Sequence, residues 1–331
     1  MNKIVSRLPL QLLLIVIAAT LGGALGGAVT AMSQTPTGPE WWPAEWGPDD
    51  ERGAANRLTP AKVLEAASLI ERGDVYELGR DYEVGMPLFG NRHFSLTIPG
   101  LPTGGPMGTN QIVYNDELIS GEIGQVGTQF DGLGHVGTQV GDESVFYNGF
   151  NLSEFGGTYG LERLGVEKAG AFFTRGVLLD VARYKDVERL DPTYVITIDD
   201  IEGTLALEGV EIREGDAVLF HTGHGQLWMV DNDTFSASHP GPGITAIKWL
   251  AEKKIVMTGS DTSGTEAVPG ENPDRPFEGH QWLLNRHGIY NIENLDLSAL
   301  AEDQVYEFAF VFAPLKLKGA TGSPGNPIAV R

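Results

Sequence analysis

The chain has 331 residues, 41% of them hydrophobic and 20% charged, enough apolar material to bury a core and so to exclude wholesale disorder. Its 44 acidic against 23 basic residues give a formal net charge of −21, a balance that repels phosphate backbones and sets the protein against nucleic-acid binding. Cysteine is absent, which removes disulfides, thiolate metal sites and cysteine nucleophiles together.

Lys3 and Arg7 precede an apolar run over residues 12–21, and a Gly/Ala-rich stretch ends at Ala31. That order is the order of a secretory signal, so residues 1–31 are expected to direct export to the periplasm or medium and to be removed. Retained, the same stretch would be an N-terminal membrane anchor; removed, it leaves no stable membrane association. Residues 32–50 are rich in Pro and Gly and read as an extended arm, with Trp41, Trp42 and Trp46 expected to pack on the chain's own body. Residues 51–331 read as one mixed α/β domain.

Within that domain, Thr59-Pro60 opens a helix running toward Gly73, and residues 75–78 form a strand. Residues 81–108, dense in Pro and Gly, read as a long functional loop. Short apolar strands follow at 176–181, 217–221 and 255–258, and helices at 198–208, 244–253 and 277–286, the last stopped by Gly288. Residues 304–312 alternate like a final strand.

The densest polar cluster is residues 124–135, GQVGTQFDGLGH. Its glycines argue against a helix. In an extended strand Gln125, Gln129 and Asp131 share one face while Val126 and Phe130 point to the core. A turn after Asp131 swings His135 back over the polar face. Two amides, a carboxylate and an imidazole then converge, although a polar strand edge with ordinary hydrogen bonds would read the same way.

The segment resembles the signature of the cyclase family that includes bacterial kynurenine formamidase and isatin hydrolase, written His-x-Gly-Thr-His-x-Asp-x-x-x-His. Gly127-Thr128, Asp131 and His135 match in register, and Gln125 and Gln129 stand where the family has histidines. Further matches follow in order at residues 216–223, 239–243, 259–262, His280, 293–295 and 314–324. The resemblance implies the family's swivelling β/β/α fold and a metal-dependent hydrolase of an amide, lactam or ester bond, arylformamidase-like. It implies a divalent ion held by Asp131, His280 and Glu293, with Gln125 and Gln129 completing the set, and His135 as the proton shuttle. An oxygen-rich set of that kind shifts preference from Zn toward Mn.

His221 and His224 follow an apolar strand, where α/β folds often place ligand groups, and His93 sits in the long loop. All three are candidates for contacting a small-molecule substrate. Assembly of identical chains is expected. No Gly-x-Ser-x-Gly elbow occurs, which sets aside a lipase-type nucleophile. Three classes stay open: a metal-dependent hydrolase, a metal-free cyclase, lyase or lactonase working through His135, and a binding protein on a degenerate enzyme scaffold.

Overall fold

The structure is a computed structural model, and it describes residues 34–331. The segment on which the export expectation rests lies outside the described residues. Gln34–Arg331 forms one compact unit.

Its centre is a nine-stranded mixed sheet. In chain order the strands are β1 (Val75–Glu77), β2 (Gln129–Asp131), β3 (Phe172–Asp180), β4 (Ala217–His221), β5 (Met257–Ser260), β6 (Tyr290–Glu293), β7 (Glu307–Phe312), β8 (Gly322–Pro324) and β9 (Ile328–Val330). Across the sheet they lie in the order β8-β2-β6-β5-β4-β3-β7-β9-β1. Strands β3 to β6 run parallel, and the pairings outside them are antiparallel. The parallel strands are near-continuous apolar runs because both faces are covered; Val177, Leu178, Leu179, Val218, Leu219 and Phe220 have no exposed surface.

Helix α1 (Pro60–Ala67) packs on β3 and starts where the sequence places it, the Thr59 hydroxyl accepting from the Lys62 amide at 3.2 Å. Helix α2 (Ile198–Glu208) opens with a reciprocal capping box between Thr197 and Asp200 and stops at left-handed Gly209. Helix α3 (Ile244–Glu252) follows the Pro-Gly turn and buries Ala246, Ile247 and Leu250 against the core. Among the described residues no helix is long and apolar enough to cross a membrane.

Three local expectations need correction. The stretch read as a loop over 81–108 enters two antiparallel ribbons, Phe94–Thr97 with Leu118–Gly121 and Gly104–Met107 with Ile112–Tyr114. The Pro and Gly residues there sit in and between short strands; one ribbon is a local hairpin whose strands Gly and Pro disguise, and the other pairs residues more than twenty positions apart. Residues 304–312 do not end the sheet, since β8 and β9 follow. The helix expected over 277–286 is a short turn, Glu278–His280, continued by a π-helical segment, Gln281–Arg286. The N-terminal arm lies on the body: Asn148 accepts from the Ala44 amide at 2.6 Å and donates to the carbonyls of Gly47 and Asp50.

The aromatic side chains behind β2 fix its position. Phe130 stacks on Tyr290 at 5.1 Å between centroids and meets Phe172 and Phe312 at 5.4 and 5.2 Å, all four rings being buried. Phe130→Ala removes the ring on which the other three converge. It is expected to lower the unfolding free energy by about 3–5 kcal/mol, measured by urea denaturation.

Candidate active site

Antiparallel pairing of β2 with β6 sets Glu293 opposite Gln129 and Asn291 opposite Asp131. Side chains alternate along a strand, so these four polar groups share one face while Phe130 and Ile292 share the other. The result is a dense buried network. Gln129 Nε2 donates to Glu293 Oε2 at 2.7 Å, and Gln125 Nε2 donates to Asp131 Oδ1 at 3.0 Å. Asn291 Nδ2 donates to both acids, at 3.1 Å to Asp131 Oδ2 and 2.5 Å to Glu293 Oε1. The Asn291 oxygen accepts from the hydroxyls of Thr258 and Thr265, which fixes the direction of its amide.

His280 reaches the same face from the turn Glu278–His280. Its Nε2 lies 3.1 Å from Glu293 Oε1 and 3.7 Å from Asp131 Oδ2. Its Nδ1 donates to Glu266 Oε1 at 2.6 Å, and Glu266 also accepts from the amides of Gly279 and His280, capping the turn that presents the ring. Although burial opposes its charge, Glu266 and Glu293 hold the His280 pKa well above the usual histidine value. Burial pushes the Asp131 carboxyl up; His135 and His280 oppose this, and the adjacent Glu293 adds to it.

Ligand atoms of Asp131, His280 and Glu293 all lie within 4.8 Å of one another, and all three residues are buried. Among the described residues no lysine or arginine pairs with either carboxylate. Two buried carboxylates and one imidazole, held by amide N–H groups and met by no lysine or arginine among the described residues, fit a divalent cation. Three protein ligands with room left over is the arrangement of a catalytic metal centre.

Above this floor opens a cavity of about 340 Å³. His135 stands at its rim, 22% exposed, with Nε2 3.8 Å from Asp131 Oδ1. The turn that returns it is closed by the His135 amide donating to the Gly132 carbonyl at 3.0 Å. Gly134 lets residues 161–164 pack against that turn, since a Cβ there would sit 2.4 Å from Leu161 and 3.1 Å from the Leu164 carbonyl. Phe89 and Phe277, edge to face at 5.9 Å, line the mouth with Arg92, which donates to Gln125 Oε1 at 3.2 Å. His239, 1% exposed, forms part of the wall; burial holds its pKa down, at about 4, so the ring is neutral.

The structure thus brings Gln125, Gln129, Asp131, His135, His280 and Glu293 together. It does not bring His221, His224 or His93 to the cavity. His221 pairs with Asp180 at 2.7 Å, each at the end of its own strand. His224 is buried with Nε2 on the Phe235 carbonyl. His93 is exposed and faces Glu122 and Ser120. Three contributors escaped the sequence reading. Asn291 stands two residues before Glu293, so strand alternation alone could have found it. His239 was read only as the start of a Pro-Gly turn, not as cavity wall, and Glu266 carries no local signal, because a long-range fold-back supplies its role.

Fold and site together define an α/β protein with an acidic, metal-type centre near one edge of a curled mixed sheet. Residues 76–267 match the family described as "Putative cyclase", and the chain belongs to that family. Isatin hydrolase from Roseibium aggregatum is 32% identical over 147 residues, 42% of this chain and 54% of that enzyme, so the alignment spans about half of the relative's length. A crystal structure described as a novel cyclase superposes with a TM-score of 0.76 at 32% identity, covering 86% of this chain and 96% of that one. Isatin hydrolase A from Labrenzia aggregata, bound to benzyl benzoate, shares the fold with a TM-score of 0.58 at 21% identity, over 80% of this chain and 94% of that one.

Glu266 bears on His280 as an outer carboxylate bears on a ligating imidazole. Glu266→Gln is expected to weaken divalent-metal binding about 10–100-fold, read by competition with a chromophoric chelator.

Proposed function

We propose that the protein is a metal-dependent hydrolase that opens an amide, lactam or ester bond in a small aromatic molecule, aryl formamides included. The observation that carries this is the buried trio Asp131, His280 and Glu293 at the floor of a cavity with His135 at its rim. The isatin hydrolase similarity supports the same reading.

A divalent ion bound there lowers the pKa of water toward about 7 and so supplies a nucleophile at neutral pH. Asp131, His280 and Glu293 would hold that ion, with Gln125 and Gln129 able to add amide oxygens by turning their carboxamides. Two carboxylates against one imidazole favour Mn over Zn. Glu266 keeps the His280 Nδ1 proton in place, leaving Nε2 directed at the centre. His135 takes the proton released by the attacking water and delivers it to the leaving nitrogen or oxygen. Phe89 and Phe277 accommodate a flat ring and shield the site from bulk water, and Arg92 offers its guanidinium to a substrate carbonyl.

A metal-free reaction through His135 is the second reading. It draws on the amide nitrogens of Gln125, Gln129 and Asn291, which already bond to the two carboxylates. Turnover that survives exhaustive chelation would replace the first reading with the second.

His135→Ala is expected to lower kcat about 10²–10⁴-fold with metal content unchanged. Asp131→Asn should instead lose metal and activity together, because it removes an anionic ligand. Near-wild-type kcat in His135→Ala would overturn the shuttle.

We also propose export, supported by the basic start and apolar run before Ala31. The mature chain should begin near Met32; an intact chain retaining Met1 in the cytosol, seen by mass spectrometry, would exclude this.

A further inference from the structure

A second cavity, of about 260 Å³, lies between the N-terminal arm and the C-terminal end of the π-helical segment. It shares no lining residue with the catalytic cavity. Its walls are aromatic: Trp41 and Trp46 come from the arm and Tyr147 from the body. Two guanidiniums stand among them. Arg57 lies 4.6 Å over the Trp46 ring, and Arg286 lies over Trp41 and Trp282 at 5.2 and 4.7 Å.

Stacking occupies the face of a guanidinium and leaves its in-plane N–H groups in need of acceptors. Here several of those acceptors are missing. Arg57 is only 9% exposed, yet its Nε and Nη1 have no hydrogen-bond partner, and Arg286 Nε and Trp41 Nε1 are likewise unpartnered. Arg57 gives Nη2 to Glu45, itself on the cavity wall, and its Nε lies 3.6 Å from Glu214; both acids are more than half exposed. Arg286 donates from Nη1 to the Thr37 hydroxyl at 3.3 Å and, among the described residues, meets no carboxylate. That is unexpected in a chain where 44 acids face 23 bases. A buried donor without an acceptor is costly, so an arginine pair left in this state marks a place for an incoming anion. The charge is felt locally: burial, reinforced by Arg286 and Arg57, holds His287 on the same wall down at about 4.

We propose that this cavity binds a small aromatic carboxylate, its ring against the indole walls and its carboxylate against Arg286 and Arg57. The aromatic walls distinguish it from a site for inorganic anions, which would gain nothing from them. The position is apart from catalysis but not remote from it, since Arg286 and His287 end the segment that begins next to His280.

The test uses the full chain titrated with benzoate and with indole-3-carboxylate, followed by tryptophan fluorescence and calorimetry. Benzamide serves as the neutral control and sulfate as the inorganic one. Saturable binding of the carboxylates is expected, with benzamide and sulfate at least about tenfold weaker. Arg286→Gln should weaken it about tenfold or more, and Trp41→Phe, which keeps a ring and removes the indole N–H, should weaken it less. Glu45→Gln should tighten it by withdrawing a competing carboxylate. Asp131→Asn, in the catalytic cavity, should leave it unchanged, which keeps this proposal separate from the proposed hydrolysis. Equal binding of benzamide or sulfate, indifference to Arg286→Gln in a protein that still melts cooperatively, or loss of binding in Asp131→Asn would each overturn it.

Discussion

The register between Gln129–Asp131 and Tyr290–Glu293 is the constraint on which the site depends. A slip of β2 by one residue would turn Gln129 and Asp131 into the core and bring Phe130 into the cavity, parting both polar groups from Asn291 and Glu293 on β6. Nothing in so short a strand would resist that slip by itself. Resistance comes from the apolar side, where Phe130 meets Tyr290, Phe172 and Phe312, and from β8, which pairs along the other edge of β2. The chemistry of one face is therefore set by packing on the other.

The same pairing concentrates negative charge where water is scarce. The relief is built from neutral amides and one imidazole rather than from lysine or arginine. Amide N–H groups satisfy carboxylate lone pairs without cancelling their charge. The site thus remains attractive to a cation while each acid keeps its hydrogen bonds. The two glutamines, where the family resemblance leads one to expect histidines, extend this pattern: they add donors and dipoles but no second soft ligand.

Much of this was legible in the sequence, and for identifiable reasons. Helix 198–208 was readable to the residue because its capping box and terminal Gly209 are local signals. The sharing of a face by Gln129 and Asp131, with Phe130 opposed, followed from alternation, and the return of His135 followed from the glycines after Asp131. Residues 94–107, inside the stretch read as a loop, were misread because ribbons broken by Pro and Gly look like loops until their partners are known. The role of Glu266 was invisible because it caps a turn more than ten residues downstream. Placing His221 and His224 near substrate relied on a general habit of strand ends; here one is tied to Asp180 and the other to a backbone carbonyl.

The position of β2 between β6 and β8 also dictates an order of assembly. Gln129 meets Glu293, 164 positions further along the chain, and the strand on its other side is later still, at Gly322–Pro324. Closing loops of that size is slow relative to forming local helices and the β3–β4 pair. A chain emerging from the ribosome can therefore build much of its apolar centre while the acidic face is still in separate, solvated pieces. Capture of a cation by the assembled trio would come near the end of folding, after the sheet around it has chosen its shape. A cation bound there would report completion of the fold instead of directing it.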